Sequence, residues 1–296
     1  MRLSALLLVL LAPLLHGATA QADPTVNVLA YANDLGGSLD VYVIALGDAT
    51  PLRLTSSPRD EFSPSWSPDG RRIAYRVNPP TGDEGDIWVM RRDGTGKRNL
   101  TRSRGVADWS PAWSPDGRRI AYFSAAVGGA DVWIMRADGR GRRNLTHNGL
   151  LNEYPSWSPD GGRIAFNSHR DGQFEVYSIR SNGTGTRNLS RNASQDKWPA
   201  WSPDGRLIAF VSDRAGSEDV FVMRADGAGV RNLTRTRTLD ESHPAWMPDG
   251  RLSLTRHGET GPIELWSLDV DSGEAERLQT SAEPVFVFGW KPSRTG

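Results

Sequence analysis

Apolar residues recur along this chain in strand-length runs, and turn residues cut between them. Arg72-Ile73-Ala74-Tyr75 is followed by Asp86-Ile87-Trp88-Val89-Met90 and then by Asn99-Leu100-Thr101. The same series returns at Arg119–Tyr122, Asp131–Met135 and Asn144, then at Arg163–Phe166, Glu175–Ile179 and Asn188, and again at Leu207–Phe210, Asp219–Met223 and Asn232. β-Branched and aromatic residues fill these runs, which are too short and wrongly spaced for amphipathic helices. A further run precedes each set and ends in a tryptophan, at Trp66, Trp113, Trp157 and Trp201, with weaker copies at Trp246 and Trp290. Successive tryptophans lie 47, 44, 44, 45 and 44 residues apart. Six anchors at one period predict six copies of a four-stranded unit.

The turns support that division. Trp66 opens Trp-Ser-Pro-Asp-Gly, repeated intact from Trp113, Trp157 and Trp201. Proline presets φ for the second turn position, and glycine takes the left-handed conformation that ends the turn. Asp93-Gly94, Asp138-Gly139, Asn182-Gly183 and Asp226-Gly227 do the same between third and fourth strands. Four-stranded units repeated radially make a β-propeller. At the ends of the repeat, Val28–Tyr31, Asp40–Ile44 and Leu52–Thr55 match second, third and fourth strands, whereas Val285–Trp290 matches a first strand. The expected fold is all-β: a six-bladed propeller of four antiparallel strands per blade, with one composite blade uniting three N-terminal strands and one C-terminal strand. The prolines shortly before each tryptophan, Pro64, Pro111, Pro155, Pro199 and Pro244, suit an innermost edge strand lining a central channel.

Composition narrows the function. The 296 residues include 35 Lys+Arg, 35 Asp+Glu and no cysteine. This excludes disulfides, thiolate metal sites and cysteine nucleophiles, and it disfavours nucleic acid as a partner. Arg2, the apolar run Leu6–Leu15 and the small residues ending at Ala20 read as a secretory signal peptide over residues 1–20, cut after Ala20 or in the frame Ala20-Gln21-Ala22. Residues 21–296 are then a soluble propeller, periplasmic or secreted, without a lipid-bearing cysteine, and expected to be monomeric.

The Trp-Ser-Pro-Asp-Gly, Arg-Ile-Ala-Tyr/Phe, Asp-Val/Ile-x-Val-Met and Arg-Asn-Leu-Thr series resembles the TolB-like (WD40-like, PD40) propeller repeat. The resemblance covers nearly all of residues 21–296. It is to the propeller of that family alone, without the α/β domain that precedes it there, and it implies a periplasmic setting.

Function in a propeller usually sits in loops at one channel mouth. Loops joining a fourth strand to the next first strand bring an acid and a ring to that mouth: Glu61-Phe62, Asp108-Trp109, Glu153-Tyr154, Asp196-Lys197-Trp198 and Glu241-Ser242-His243. These residues predict a binding surface for a protein or peptide, with a glycan as a further option. The acids would select a cationic partner, and the rings would supply contact area. Counting charges by face strengthens the expectation of an acidic mouth, since bases gather around the first-to-second and third-to-fourth turns, and it makes that basic underside a second candidate face. The acids also make Ca2+ the candidate channel cation, although no cofactor is required. The alternative is a metal-assisted sugar lyase, with His243 and either His169 or His147 as ligands. No G-x-S-x-G elbow is present to support nucleophilic catalysis.

Overall fold

A computed structural model describes residues 27–290, apart from 35–36, 47, 49, 81–83, 127, 237, 259–262 and 282–285. The signal-peptide reading of residues 1–20, its cleavage frames and Val285 lie outside the described residues. Six antiparallel four-stranded sheets form the six blades. In the composite blade 1, Phe286–Trp290 pairs with Val28–Asn33, which continues to Asp40–Ala45 and Leu52–Arg53. Leu29 sits opposite Trp290 and Ala32 opposite Phe286, so the two ends of the repeat close the ring. Blades 2 to 6 begin with inner strands Glu61–Trp66, Ala107–Trp113, Asn152–Trp157, Asp196–Trp201 and Asp240–Trp246.

The core is six wedges between blades. Leu145 of blade 3 packs with Trp157 and Phe166 of blade 4, and Leu189 of blade 4 packs with Phe210 and Met223 of blade 5. Each buried side chain of this size contributes about 1.5–3 kcal/mol. The indole N–H of Trp157 reaches the Ala112 carbonyl at 3.1 Å, and that of Trp246 reaches the Ala200 carbonyl at 3.0 Å, tying inner strand to inner strand.

Two local features position the site. Regular pairing of the outer strand stops at asparagine in blades 2 to 5, rather than running through the whole Asn-Leu-Thr triplet. The threonine side chain takes over the ladder: Ile87 N–H donates to Thr101 Oγ1 at 3.0 Å, and Thr101 Oγ1 donates to Asp86 at 3.0 Å. Asn99 is likewise committed to Asp86, at 2.7 Å. The second feature is a bulge in the inner strands of blades 2 to 6, where the pairing register shifts just before the tryptophan. Proline at that point has no N–H to donate, so the ladder cannot continue. The residue before it is left-handed in every case: Ser63, Ser110, Tyr154, Trp198 and His243 have φ of 47–53°. For a non-glycine residue this is a costly conformation, and the surrounding sheet must enforce it.

Candidate functional site

The bulges place the aromatic residues. Rings from five blades touch in sequence around the channel. Phe62 lies 5.6 Å from Trp109, which stacks on Phe123 at 6.0 Å. Phe123 lies 5.4 Å from Tyr154, Tyr154 meets Trp198 edge-on at 6.0 Å, and Trp198 stacks on His243 at 4.7 Å. This arc gathers every ring expected at the mouth and adds Phe123, which the loop pattern could not reveal because it sits in a second strand. The rings play two parts. Phe62 and Trp109 stand one residue before the bulge and wedge between blades, clamped by the fully buried Arg76, whose guanidinium lies 3.0 Å from the Trp109 centroid. Tyr154, Trp198 and His243 occupy the bulge itself and face the channel, where blades 2 and 3 present only Ser63 and Ser110.

The acids behave differently from the mouth residues expected. Glu61, Asp108, Asp196 and Glu241 are all buried. Each is bonded inside the protein. Ser57 donates to Glu61 at 2.6 Å and Ser103 to Asp108 at 2.7 Å. Arg214 holds Asp196 at 2.8 Å, and Arg256 holds Glu241 at 3.0 Å. Burial raises the carboxyl pKa of Glu61 and Asp108. It pushes Glu241 up to about 7 against the pull of Arg256. Glu153, half-buried and also raised by burial, stands one position out of step with the other acids. The equivalent position in blade 4 is Asn152, which is fully buried and accepts from Arg170 at 3.1 Å. Its spacing from Trp157 equals that of Glu61 from Trp66, a signal the acid-and-ring pattern had passed over. These side chains brace the entry to each inner strand.

The metal readings fare no better. Among the described residues, no three His, Asp or Glu side chains come together as ligands. His147 is exposed on its loop, and His169 packs edge-on against Phe174 at 5.2 Å. Burial and the nearby His257 lower the His243 imidazole to about 4, leaving it neutral at pH 7. Among the described residues, neither the histidines nor the acids gather into a ligand set that fits a bound cation.

The channel itself is a cavity of about 630 Å3. Its wall runs from the bulge residues to the prolines of the Trp-Ser-Pro-Asp-Gly turns, which places it on the turn side of the aromatic arc. Among the described residues, no Asp, Glu, Lys or Arg lines it. On the opposite, loop side, the residue after each Asn-Leu-Thr/Ser triplet is left-handed and exposed: Arg102, His147, Arg191 and Arg235, with φ of 44–51°. The asparagine side chain fixes this turn, as Asn99 accepts from Arg102 N–H at 3.0 Å and Asn232 from Arg235 N–H at 3.0 Å. None of the three arginines forms an ion pair among the described residues.

Six blades, a composite closing blade and a bulged inner strand before each tryptophan define a six-bladed β-propeller with an open channel. The TolB beta propeller domain model (PD40) matches residues 77–284, and the chain belongs to that family. It is 49% identical over 43 residues to the Tol-Pal system protein TolB of Anaeromyxobacter dehalogenans, covering 14% of this chain and 9% of that protein. It is 32% identical over 62 residues to the Francisella tularensis protein of the same name, covering 21% of this chain and 14% of that protein. The matched stretches thus span well under a quarter of these relatives' length. The crystal structure of TolB from Acinetobacter baumannii superposes with a TM-score of 0.78 at 24% identity, covering 91% of this chain and 67% of that one. At that identity the likeness speaks for the fold. No helix among the described residues is long and apolar enough to cross a membrane.

Proposed function

We propose that this propeller is an exported, non-catalytic scaffold that holds a protein partner on its loop face. Export rests on the signal-peptide reading of residues 1–20, with residues 21–296 forming the working propeller in the periplasm or outside the cell. The observation that carries the reading is the set of exposed arginines, Arg102, Arg191 and Arg235, which form no ion pair among the described residues and stand at one equivalent position in three blades. Unpaired charge repeated on one face steers an oppositely charged partner and sets its register. Leu150 and Leu151, 41% and 40% exposed on the same face, add apolar contact. The partner surface is therefore acidic, the reverse of the cationic partner expected from Glu61, Asp108, Asp196 and Glu241. Those acids are internal and stiffen the loops that carry the arginines. Phe62, Trp109, Tyr154, Trp198 and His243 form the frame beneath them.

The test is capture from periplasmic extract by the full exported chain, read by mass spectrometry at low and high salt. The triple variant Arg102→Glu, Arg191→Glu, Arg235→Glu is expected to lose the partners that wild type retains at low salt. Unchanged retention of every partner by that variant would remove this face as the binding surface.

A further inference from the structure

The turn face, opposite the loop face, carries its charge unevenly. In blades 2 and 3 its turns and the strand ends beside them, residues 69–72, 91–98, 116–119 and 136–143, hold 12 Lys+Arg against 4 Asp. In blade 6 the matching segments, residues 249–251 and 269–277, hold 5 Asp+Glu against 2 Arg. Inner strands touch in chain order around the ring, so blade 6 lies opposite blade 3 across the channel. One side of this face is basic and the far side is acidic.

The charge is available on both sides. Arg71, Arg92, Arg118 and Arg140 are exposed, and their side chains form no hydrogen bond or ion pair among the described residues. Blades 2 and 3 adjoin there, since Arg98 donates to the Asp138 carbonyl at 3.2 Å. The aspartates among these arginines cap their own turns, as Asp93 accepts from Thr95 N–H at 2.9 Å and Asp116 from Arg118 N–H at 3.0 Å. In blade 6, Asp271 and Glu274 are exposed and equally without side-chain partners among the described residues. Between the two sides lies an apolar centre. Pro68, Pro115, Pro159, Pro203 and Pro248 surround this end of the channel, and Pro115, Pro159 and Pro203 are exposed. An apolar centre inside a polar rim is the anatomy of a protein interface.

We propose that the turn face pairs with the turn face of a second copy of this chain, blade 3 of each against blade 6 of the other. A twofold axis lying between the faces, midway from blade 3 to blade 6, turns the second copy over and brings basic side onto acidic side twice. The guanidinium groups then meet carboxylates, which they match as forks, and the proline rings cover one another. A uniformly anionic surface such as a lipid bilayer would satisfy blades 2 and 3 but meet blade 6 with like charge. A second copy satisfies both sides, which is why it is the occupant favoured here. This departs from the monomer expected above, and it does not depend on the loop-face reading, which uses the opposite side of the disc.

The test is sedimentation velocity on the full exported chain at micromolar concentrations, in about 0.01 M and about 1 M salt. A dimer is expected at low salt, weakening at high salt as the rim charges are screened. Arg92→Glu with Arg118→Glu and Arg140→Glu should raise the dimer dissociation constant by about tenfold or more, and so should Asp271→Arg with Glu274→Arg. All five positions are exposed, and circular dichroism checks that the variants fold. The decisive measurement mixes the two variants. One then offers acids where the other offers bases, so the mixture should form a heterodimer although neither variant pairs with itself. The loop-face triple variant should dimerise as wild type does, which separates failure of this surface from failure of the loop face. A monomer at every concentration in low salt, a dimer that neither set of reversals weakens, or a mixture that stays monomeric overturns the proposal. A monomer that binds anionic vesicles through Arg92, Arg118 and Arg140 overturns it too, and assigns the basic side to a lipid surface.

Discussion

The two faces of this disc use their arginines differently. On the turn face several basic side chains join blades. Lys97 and Arg142 reach back to the carbonyls of Leu54 and Leu100 in the preceding blade, at 3.0 and 3.2 Å. Arg98, Arg143 and Arg231 reach forward to carbonyls of the next blade. Arg72 and Arg119 lie over Trp113 and Trp157, 4.5 and 4.7 Å from the ring centroids. On the loop face the arginines fall into two layers. Arg170, Arg214 and Arg256 point inward to Asn152, Asp196 and Glu241. Arg102, Arg191 and Arg235 are exposed and form no ion pair among the described residues. Equal formal charge therefore carries unequal availability. Part of the basic turn face is structural, although Arg92, Arg118 and Arg140 stay exposed there, and a loop face rich in acids by composition also displays bases.

Substitutions can break or sharpen this contrast. The largest effect is expected from Arg214→Ala, which leaves Asp196 buried without its cation. Loss of one partner of such a pair costs about 3–5 kcal/mol, trimmed here because the Arg214 side chain is partly exposed. A fall of less than about 1 kcal/mol in denaturant unfolding would show that the inner layer is not structural. Next comes Arg143→Ala on the turn face. It removes hydrogen bonds to the carbonyls of Asn182 and Ser181 at 2.7 and 2.8 Å, and should cost about 1–2 kcal/mol. A neutral result would place the turn-face arginines in the same class as the loop-face ones.

A smaller effect, with a sign set by pH, is expected from Asp108→Asn. Burial raises the Asp108 pKa, and Asp86 adds to the rise. A carboxyl whose folded pKa exceeds its unfolded value binds more protons in the folded state, so its contribution to stability falls as pH rises from the unfolded value through the folded one. Asparagine does not titrate, and blade 4 already places Asn152 at this position, within 3.4 Å of Asp131. The variant should gain on wild type as pH rises from 4 towards 8, read from melting temperature against pH. A gap that stays constant or narrows would contradict buried, cation-free placement of Asp108. The smallest effect on stability, within about 0.5 kcal/mol, is expected from the loop-face triple arginine variant, because it breaks no ion pair. Its effect belongs to partner binding.

The fold was legible because the repeat states it six times. Tryptophan spacing, Pro-Asp-Gly turns and the unmatched strands at the two ends of the repeat defined blade number and closure, since each depends on local turn chemistry and strand period. The site was legible in part. The loop pattern found Phe62, Trp109, Tyr154, Trp198 and His243, and these rings do meet. It could not say that Phe62 and Trp109 turn between blades while the other three turn into the lumen. That division follows from a one-residue offset relative to the bulge, and a one-residue offset changes which way a strand side chain faces. The same offset hid Asn152 behind Glu153.

Sequence by itself determined the repeat, the turns, the strand period and the order in which the strands are joined. Tertiary structure decided which charges are available. Asp108 and Asp196 look like surface acids in a polar loop, yet the bulged entry of each inner strand draws them under the neighbouring blade. Partner choice there rests on Ser103 for Asp108 and Arg214 for Asp196, and ties between blades reach some forty positions, as Arg142 with Leu100 shows. Net charge is a sum along the chain, whereas a binding face is a selection in space made by packing blade against blade.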